Sequence, residues 1–132
     1  MRKAIEQAMR ARAGGRCEYC RLPEAFSPAP FWVDHIRPRK HRGRTVDENL
    51  ALACPSCNQH KGSNLSGIDP VTDAIVPLFN PRKDDWDEHF GWFGAIIVAK
   101  TAVGRASVDV LALNESYQVK IRAALSREDH MS

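Results

Sequence analysis

Four cysteines, grouped in two pairs, constrain the fold of this 132-residue chain more than any other feature. Cys17 pairs with Cys20 and Cys54 with Cys57, each pair spaced Cys-x2-Cys, with 33 residues between the pairs. Two intervening residues let a tight turn direct both sulfurs at one ion, and two such turns complete a tetrahedral Zn²⁺ site. Because four thiolates leave no open position on the metal, the spacing predicts a structural zinc ion.

Two disulfide bonds in a secreted protein are the alternative explanation of these cysteines. The N-terminal residues are charged and lack an apolar signal core, and no apolar run approaches the ~20 residues that span a bilayer. Thiols stay reduced in the cytoplasm. We therefore expect a soluble cytoplasmic protein that holds zinc and has no membrane partner.

The charge is unevenly distributed along the chain. Residues 1–66 contain 12 Lys and Arg against 6 Asp and Glu, whereas residues 67–132 contain 7 against 10. A basic half indicates a polyanionic partner such as nucleic acid, because Lys and Arg that contact phosphates release condensed counterions. Ordinary solubilising surface charge is the alternative.

Periodicity and turn residues predict the elements around the cysteines. Three prolines place residues 21–30 in a loop. The predicted elements are a helix over 2–12, a strand over 31–36 that Pro38 ends, a strand over 50–53, and a short helix from Pro55 that Gly62 ends.

The sequence of residues 67–132 predicts supporting secondary structure and little that indicates catalysis. We expect strands near 74–79 and 94–99, a helix from the cap Thr101 through Leu113, and a helix from the cap Asn114 to about Arg127. Between the strands, Trp86 and Trp92 are expected to pack against them. The length and the 43% hydrophobic content predict a single α+β domain over residues 1–132.

Several short motifs occur in order within residues 14–66, a region of roughly 40% of the chain. They are Cys17-x2-Cys20, Val33-Asp34-His35-Ile36-x-Pro38, Glu48-Asn49-Leu50 and Cys54-Pro-Ser-Cys57-Asn58-x2-Lys61-Gly62. Together they resemble the HNH endonuclease family in its zinc-bearing branch. The resemblance implies a ββα-metal (His-Me finger) core over 14–66, with residues 67–132 as a C-terminal extension, and a metal-dependent nuclease that hydrolyses phosphodiester bonds in DNA.

The resemblance also implies roles for three residues around the first strand. His35 would be the general base, since a neutral imidazole titrates near the working pH. Asp34 would bind a catalytic Mg²⁺ or Mn²⁺, and Asn49 would orient the loop after His35. Neighbours on a strand point to opposite faces, so a bulge or twist is required at this strand end. A surface histidine, a capping aspartate and an Asx-turn asparagine remain the alternatives.

The third motif position departs from the pattern that names the family, because Asn58 stands where a histidine is expected. An amide oxygen suits Mg²⁺ or Mn²⁺ as a second ligand beside Asp34. His60 is the alternative ligand, but positions 58 and 60 diverge by about 200° on a helix. The spacing from Cys57 favours Asn58, and Lys61 shares its face and can meet a phosphate.

A basic loop lies between the two predicted strands, with Gly43 for flexibility. Phosphate contact is the natural use of its five cations, and a solvated loop is the alternative. Basic residues of the first helix can extend this surface. Phosphate contacts specify no base sequence. The five cations are Arg37, Arg39, Lys40, Arg42 and Arg44.

These observations predict an HNH-type endonuclease that acts on DNA. A non-catalytic zinc-ribbon module that binds nucleic acid or protein is the main alternative. It explains the cysteines and the basic loop, but it leaves the pair Asp34-His35 without a purpose.

Overall fold

The computed structural model of the chain describes residues 3–127. Within that range it contains three two-stranded antiparallel sheets and five α-helices. The α+β prediction is thus confirmed. In chain order the elements are α1 (Lys3–Ala13), β1 (Trp32–His35), β2 (Leu50–Ala53), α2 (Pro55–Lys61), β3 (Ser66–Ile68), β4 (Ile75–Pro77), α3 (Trp86–His89), β5 (Phe90–Phe93), β6 (Ile96–Ala99), α4 (Ala102–Val110) and α5 (Ser116–Arg127).

The first sheet and the helix after it form the predicted ββα unit. β1 pairs with β2 so that Asp34 lies opposite Ala51 and His35 opposite Leu50. All four residues of β2 are buried, as expected of an uninterrupted apolar strand. The predicted bounds of β2 are confirmed, and β1 is one residue shorter at each end than the predicted strand.

Helix α2 begins and ends at the residues that the sequence predicts. Cys54 is its N-cap, and its Sγ accepts a hydrogen bond from the Cys57 N–H. Pro55 takes the first helical position, where no N–H is needed. Gly62, with φ 49° and ψ −128°, ends the helix in a conformation that residues with a side chain rarely adopt.

Helix α1 packs on the ββα unit through Met9, which is buried. Two of its arginines bind the protein itself. Arg10 donates to the Glu24 carboxylate and to the Phe31 carbonyl, and Arg12 donates to two backbone carbonyls, one before β2 and one at its first residue. These two cations therefore anchor the helix instead of extending the basic surface, while Arg2 lies outside the described residues.

The extension contains two hairpins, of which the sequence predicts only one strand each. β4 and β6 confirm the predicted strands near 74–79 and 94–99. Their partners β3 and β5 were not predicted. β3 is a three-residue Ser-Gly-Ile segment, and β5 follows directly after the four-residue helix α3 in an acidic stretch. Neither partner strand has the length or alternation that predicts a strand from sequence alone.

One of the two predicted helix caps is confirmed. The Thr101 hydroxyl accepts from the Gly104 N–H at 3.0 Å at the start of α4, which ends at Val110 rather than at Leu113. The cap role predicted for Asn114 is wrong. Its amide bonds both the N–H and the carbonyl of Ile97, at 2.8 and 2.9 Å, and so holds β6. No helix between residues 3 and 127 has both the length and the apolar character to cross a membrane.

An aromatic cluster joins the extension to the first cysteine pair. Trp86 is buried, and its indole N–H donates to the Tyr19 carbonyl at 2.9 Å. The Trp86 ring lies 5.1 Å from that of Phe90 and 5.4 Å from that of Trp92. This confirms that the tryptophans serve packing, and it ties residues 86–92 to the core.

Candidate functional site

The four cysteines converge where the first cysteine pair meets β2 and α2. Their Sγ atoms all lie within 4.8 Å of one another, and all four residues are fully buried. The Cys20 and Cys54 sulfurs are 3.7 Å apart. A tetrahedron with Zn–S distances of about 2.3 Å has edges of about 3.8 Å, whereas a disulfide would bring two sulfurs to about 2.0 Å. The cluster therefore fits one zinc ion.

Local hydrogen bonds and burial prepare the thiols for a cation. The N–H groups of Cys20 and Cys57 point at the sulfurs of Cys17 and Cys54, at 3.5 and 3.4 Å. Burial raises the pKa of Cys20, while hydrogen bonds from the other thiols, Cys17 first, lower the pKa of Cys54. The thiols thus compete for protons, and a divalent ion that displaces those protons removes the competition.

His35 lies at the end of β1, half-exposed, beside the basic loop. Its Nε2 is 2.8 Å from the Thr45 hydroxyl oxygen, which also accepts from the Arg39 guanidinium at 3.2 Å. Because a hydroxyl oxygen has two lone pairs, Thr45 can accept from the Nε2–H of His35 as well as from Arg39. Partial burial lowers the pKa of His35 from its ordinary 6.5, and the Arg39 charge lowers it further, so the ring is neutral at pH 7.

Asp34 faces the interior of the unit and is only 7% exposed. The Tyr19 hydroxyl donates to its Oδ2 at 2.8 Å, and the Lys61 ammonium lies 3.2 Å from Oδ2 and 3.4 Å from Oδ1. Burial raises the pKa of Asp34, and Lys61 opposes that rise most strongly. The carboxylate therefore already has a cationic neighbour within the protein.

The strand that carries Asp34 and His35 has no bulge. Its pairing with β2 runs without interruption through His35, and the Ile36 N–H continues it by donating to the Asn49 carbonyl at 2.8 Å. Asp34 and His35 accordingly have separate hydrogen-bond partners. If the two act on one ion, the strand twist has to bring them together.

Lys61 is placed differently from the expectation that it meets a phosphate. It is only 2% exposed, and its ammonium donates to the His35 carbonyl at 3.0 Å as well as to Asp34. This contact holds the last turn of α2 against the end of β1. In this arrangement the Lys61 ammonium is buried against groups of the protein and is not presented to a phosphate at the surface.

Asn49 ties both ends of the basic loop to the strand end. Its Oδ1 accepts from the Arg37 N–H at 2.8 Å, and its Nδ2 donates to the Arg37 carbonyl at 3.0 Å and the Arg44 carbonyl at 2.8 Å. These three bonds fix the loop directly after His35.

The five cations of the basic loop, Arg37, Arg39, Lys40, Arg42 and Arg44, are all exposed. The backbone around Gly43 is tightly packed, because a Cβ there would overlap the Arg37 carbonyl oxygen. The Gly43 N–H donates to the Pro38 carbonyl at 2.9 Å. Gly43 is therefore required by a close approach of backbone and does not supply flexibility.

The two alternative ligands on α2 point in different directions. Asn58 is half-buried, one helical turn before Lys61, and its amide has no hydrogen-bond partner within residues 3–127. The His60 ring lies 2.8 Å from the Ser56 carbonyl and 3.5 Å from the Glu115 carboxylate. Because Lys61 reaches Asp34, the Asn58 face is the one turned to β1. This favours Asn58 over His60 as the partner of Asp34.

A cleft of about 660 Å³ opens beside Asn49, between the ββα unit and the extension. Arg37 and Lys83 contribute to its wall, and Leu78 and Phe79 contribute apolar surface. The cleft is thus a concave surface beside the basic loop. It leaves room next to the His35 loop for part of a bound molecule.

Sequence reasoning missed two residues that contact the candidate site. Tyr19, inside the first cysteine pair, holds Asp34, and Thr45, just after the basic loop, holds His35. Neither has a sequence signal of its own. Tyr19 is 15 residues from Asp34 in the sequence and Thr45 is 10 residues from His35, so these contacts become visible only in the folded structure.

A comparison with protein-family models matches residues 17–64 to the HNH endonuclease family. The matched segment runs from the first zinc ligand to just past α2. It contains every site residue predicted from the sequence and none of residues 67–132. No solved structure matches the chain significantly.

Among curated proteins, the chain is 27% identical to the Septu protein PtuB of Bacillus thuringiensis over 113 residues, which cover 84% of this chain and 41% of PtuB. It is 41% identical to the CRISPR-associated endonuclease Cas9 of Corynebacterium diphtheriae over 58 residues, 43% of this chain and 5% of Cas9. It is 23% identical to the Septu protein PtuA of Bacillus mycoides over 94% of this chain and 21% of PtuA. The chain thus spans less than half the length of each of these relatives.

Proposed function

Residues 17–64 belong to the HNH endonuclease family, and on this basis we propose that the chain hydrolyses phosphodiester bonds in DNA with a divalent cation. The observation that carries the proposal is the environment of His35. A neutral imidazole lies half-exposed next to five exposed cations and one residue from a buried carboxylate. Base, cation ligand and phosphate-binding groups are the parts that this hydrolysis needs.

His35 is the proposed general base. Its pKa is lowered, so it can accept a proton from water at neutral pH. Thr45 engages Nε2, and Nδ1 has no hydrogen-bond partner in the described part of the chain. In the tautomer whose Nε2–H donates to Thr45, Nδ1 carries the free lone pair and would take the proton from the attacking water.

Asp34 and Asn58 would hold the Mg²⁺ or Mn²⁺ ion. Both offer hard oxygen donors, and the Asn58 amide is unpartnered among the described residues. The Lys61 ammonium lies beside Asp34, so the surroundings of this carboxylate already accommodate a positive charge. When bound, the ion would neutralise the scissile phosphate and stabilise the leaving oxygen. Lys61 would then either shift away from Asp34 or limit the affinity for the ion.

The basic loop would bind the phosphates of the DNA backbone. Its five cations are exposed, and Asn49 fixes the loop at both ends, so the charges stay close to His35. Such contacts position a strand without reading its sequence. The adjoining cleft would accept nucleotides that flank the scissile bond.

A second candidate function is nucleic-acid binding without cleavage. The ion pair between Asp34 and Lys61 supports it, because the buried carboxylate is balanced without a metal ion. The exposed basic loop and the cysteine cluster would serve binding equally well. Only the role of His35 separates the two functions.

Nicking of supercoiled plasmid in Mg²⁺ or Mn²⁺ tests the proposal. We expect the parent to nick DNA and His35→Ala to lose at least about 10²-fold in rate, the usual contribution of a general base. His41→Ala is the matched control, because His41 is in the same loop but bonds the Ser63 carbonyl. It should nick at close to the parental rate, and zinc content should be equal in all three proteins.

The outcomes separate the two functions. Cleavage by the parent that His35→Ala leaves intact would refute the assigned base. DNA binding by the parent without cleavage in either metal would support the binding module and refute the hydrolase.

A further inference from the structure

The C-terminal helix α5 lies directly over the cysteine cluster, although the HNH match ends before it. Gln118 is fully buried, and its Nε2 is 3.4 Å from the sulfurs of both Cys20 and Cys54. These two cysteines belong to different pairs. One side chain of α5 thus spans both halves of the metal site.

The Gln118 side chain is an unfavourable choice for packing alone. Its Oε1 is buried without a hydrogen-bond partner in the described structure. Leaving a buried acceptor unsatisfied destabilises the folded state, and an apolar side chain of similar size would avoid this penalty. The two N–H groups directed at sulfur are what this amide adds. Thiolates bound to a metal are acceptors for such donors.

Arg122, one turn further along α5, is 1% exposed. Its guanidinium donates to the carbonyls of Cys20, at 3.4 Å, and Ala95, at 3.0 Å, and to the Asn114 side-chain oxygen at 3.0 Å. It also lies 5.6 Å from the centre of the Trp92 ring. All of these partners are formally neutral, and no carboxylate pairs with Arg122 within the described chain.

A buried charge without a counter-ion strongly destabilises the folded state. The cysteine cluster has the opposite imbalance, because a zinc ion with four thiolates carries a formal charge of about −2 in a fully buried site. The two imbalances lie side by side, since Arg122 contacts the backbone of the ligand Cys20. The positive charge of Arg122 therefore lies where it can offset the negative charge of the metal-bound cluster.

We propose that α5 is the third element of the zinc site: Gln118 donates N–H···S hydrogen bonds to two thiolates, and Arg122 balances their charge. Docking of α5 therefore depends on the metal. When zinc is lost, the four sulfurs are no longer held in one cluster, Gln118 loses the fixed positions of its two acceptors, and α5 separates from the core. This dependence holds whether or not the chain cleaves DNA.

The transfer of zinc from the full chain to a chromogenic chelator tests the proposal. Gln118→Leu keeps the volume but removes both donors, and Arg122→Met removes the charge. Both variants should release zinc about 10- to 100-fold faster than the parent, because loss of an outer-shell partner typically lowers metal affinity by this factor. Lys120→Ala, which removes a positive charge from an exposed position of the same helix, should release zinc at the parental rate.

Two further measurements complete the test. Arg122→Lys keeps the charge and should recover most of the zinc retention. In the parent, amide hydrogen exchange of α5 should accelerate when a chelator removes zinc. Release of zinc at the parental rate by Gln118→Leu and Arg122→Met would overturn the proposal, as would unchanged protection of α5 without zinc. If Arg122→Met does not fold, Gln118→Leu decides alone.

Discussion

Replacing Asn49 with alanine should release the basic loop from the strand that carries His35. The Asn49 amide accepts from the Arg37 N–H and donates to the carbonyls of Arg37 and Arg44. Asn49→Ala removes all three bonds at once. The loop keeps its cations but loses the connections at both ends, so His35 and its partner Thr45 lose their fixed positions.

The size of the effect follows from those three bonds. A typical hydrogen bond contributes about 0.5–1.5 kcal/mol net, and Asn49 is half-exposed, so water can satisfy part of what is lost. We expect Asn49→Ala to lower the free energy of unfolding by about 2 kcal/mol. For a chain of this size, that corresponds to a fall in Tm of roughly 6–10 °C.

Guanidinium denaturation and amide exchange at Arg37 measure the prediction. Asn49→Asp keeps the acceptor for the Arg37 N–H but loses both donors, so its stability should lie between those of the parent and Asn49→Ala. Asn64→Ala is the control, because Asn64 is exposed and its side chain makes no hydrogen bond among the described residues. An Asn49→Ala variant as stable as Asn64→Ala, with Arg37 still protected, would refute the reasoning.

Three further predictions concern the same site. Because burial and the Arg39 charge lower the pKa of His35 from 6.5, cleavage should fall only below about that pH. Arg39→Ala should raise this pKa and so move the acid limb of the kcat/KM profile to higher pH, whereas Lys40→Ala should leave the limb unchanged. Gly43→Ala, whose Cβ would overlap the Arg37 carbonyl, should destabilise the chain by more than about 1 kcal/mol in denaturation experiments. Lys61→Met leaves Asp34 buried without its ion-pair partner and should lower the free energy of unfolding by about 3 kcal/mol, part of which added Mn²⁺ should restore in thermal unfolding. Equal responses of parent and variant to Mn²⁺ would argue against a metal ligand at Asp34.

The sequence predicted the ββα unit well because its signals are local. The apolar run Leu50–Ala53 specifies a buried strand, and Pro55 and Gly62 specify where a helix begins and ends. The cysteine spacing likewise reports on turns of a few residues. Each of these features can be read without knowing what the segment packs against.

The contacts that complete the sites could not be predicted, because they depend on distant parts of the chain. Gln118 and Arg122 meet Cys20 across 98 and 102 residues. Asn114 has the sequence signal of a helix cap, but the structure uses its amide to hold β6. The same side chain satisfies either role, and tertiary packing decides between them.

The ion pair between Asp34 and Lys61 is better explained by a site than by stability. Both residues are almost fully buried, at 7% and 2% exposed, and apolar side chains in place of such a pair are often equally or more stable. What the pair adds is an ionised carboxylate, because Lys61 opposes the rise that burial causes in the pKa of Asp34. Lys61 also bonds the His35 carbonyl, so one ammonium fixes both the charge of Asp34 and the distance between β1 and α2. A carboxylate kept charged at a fixed position beside a neutral imidazole would serve as the preorganised cation ligand that the proposed hydrolysis requires.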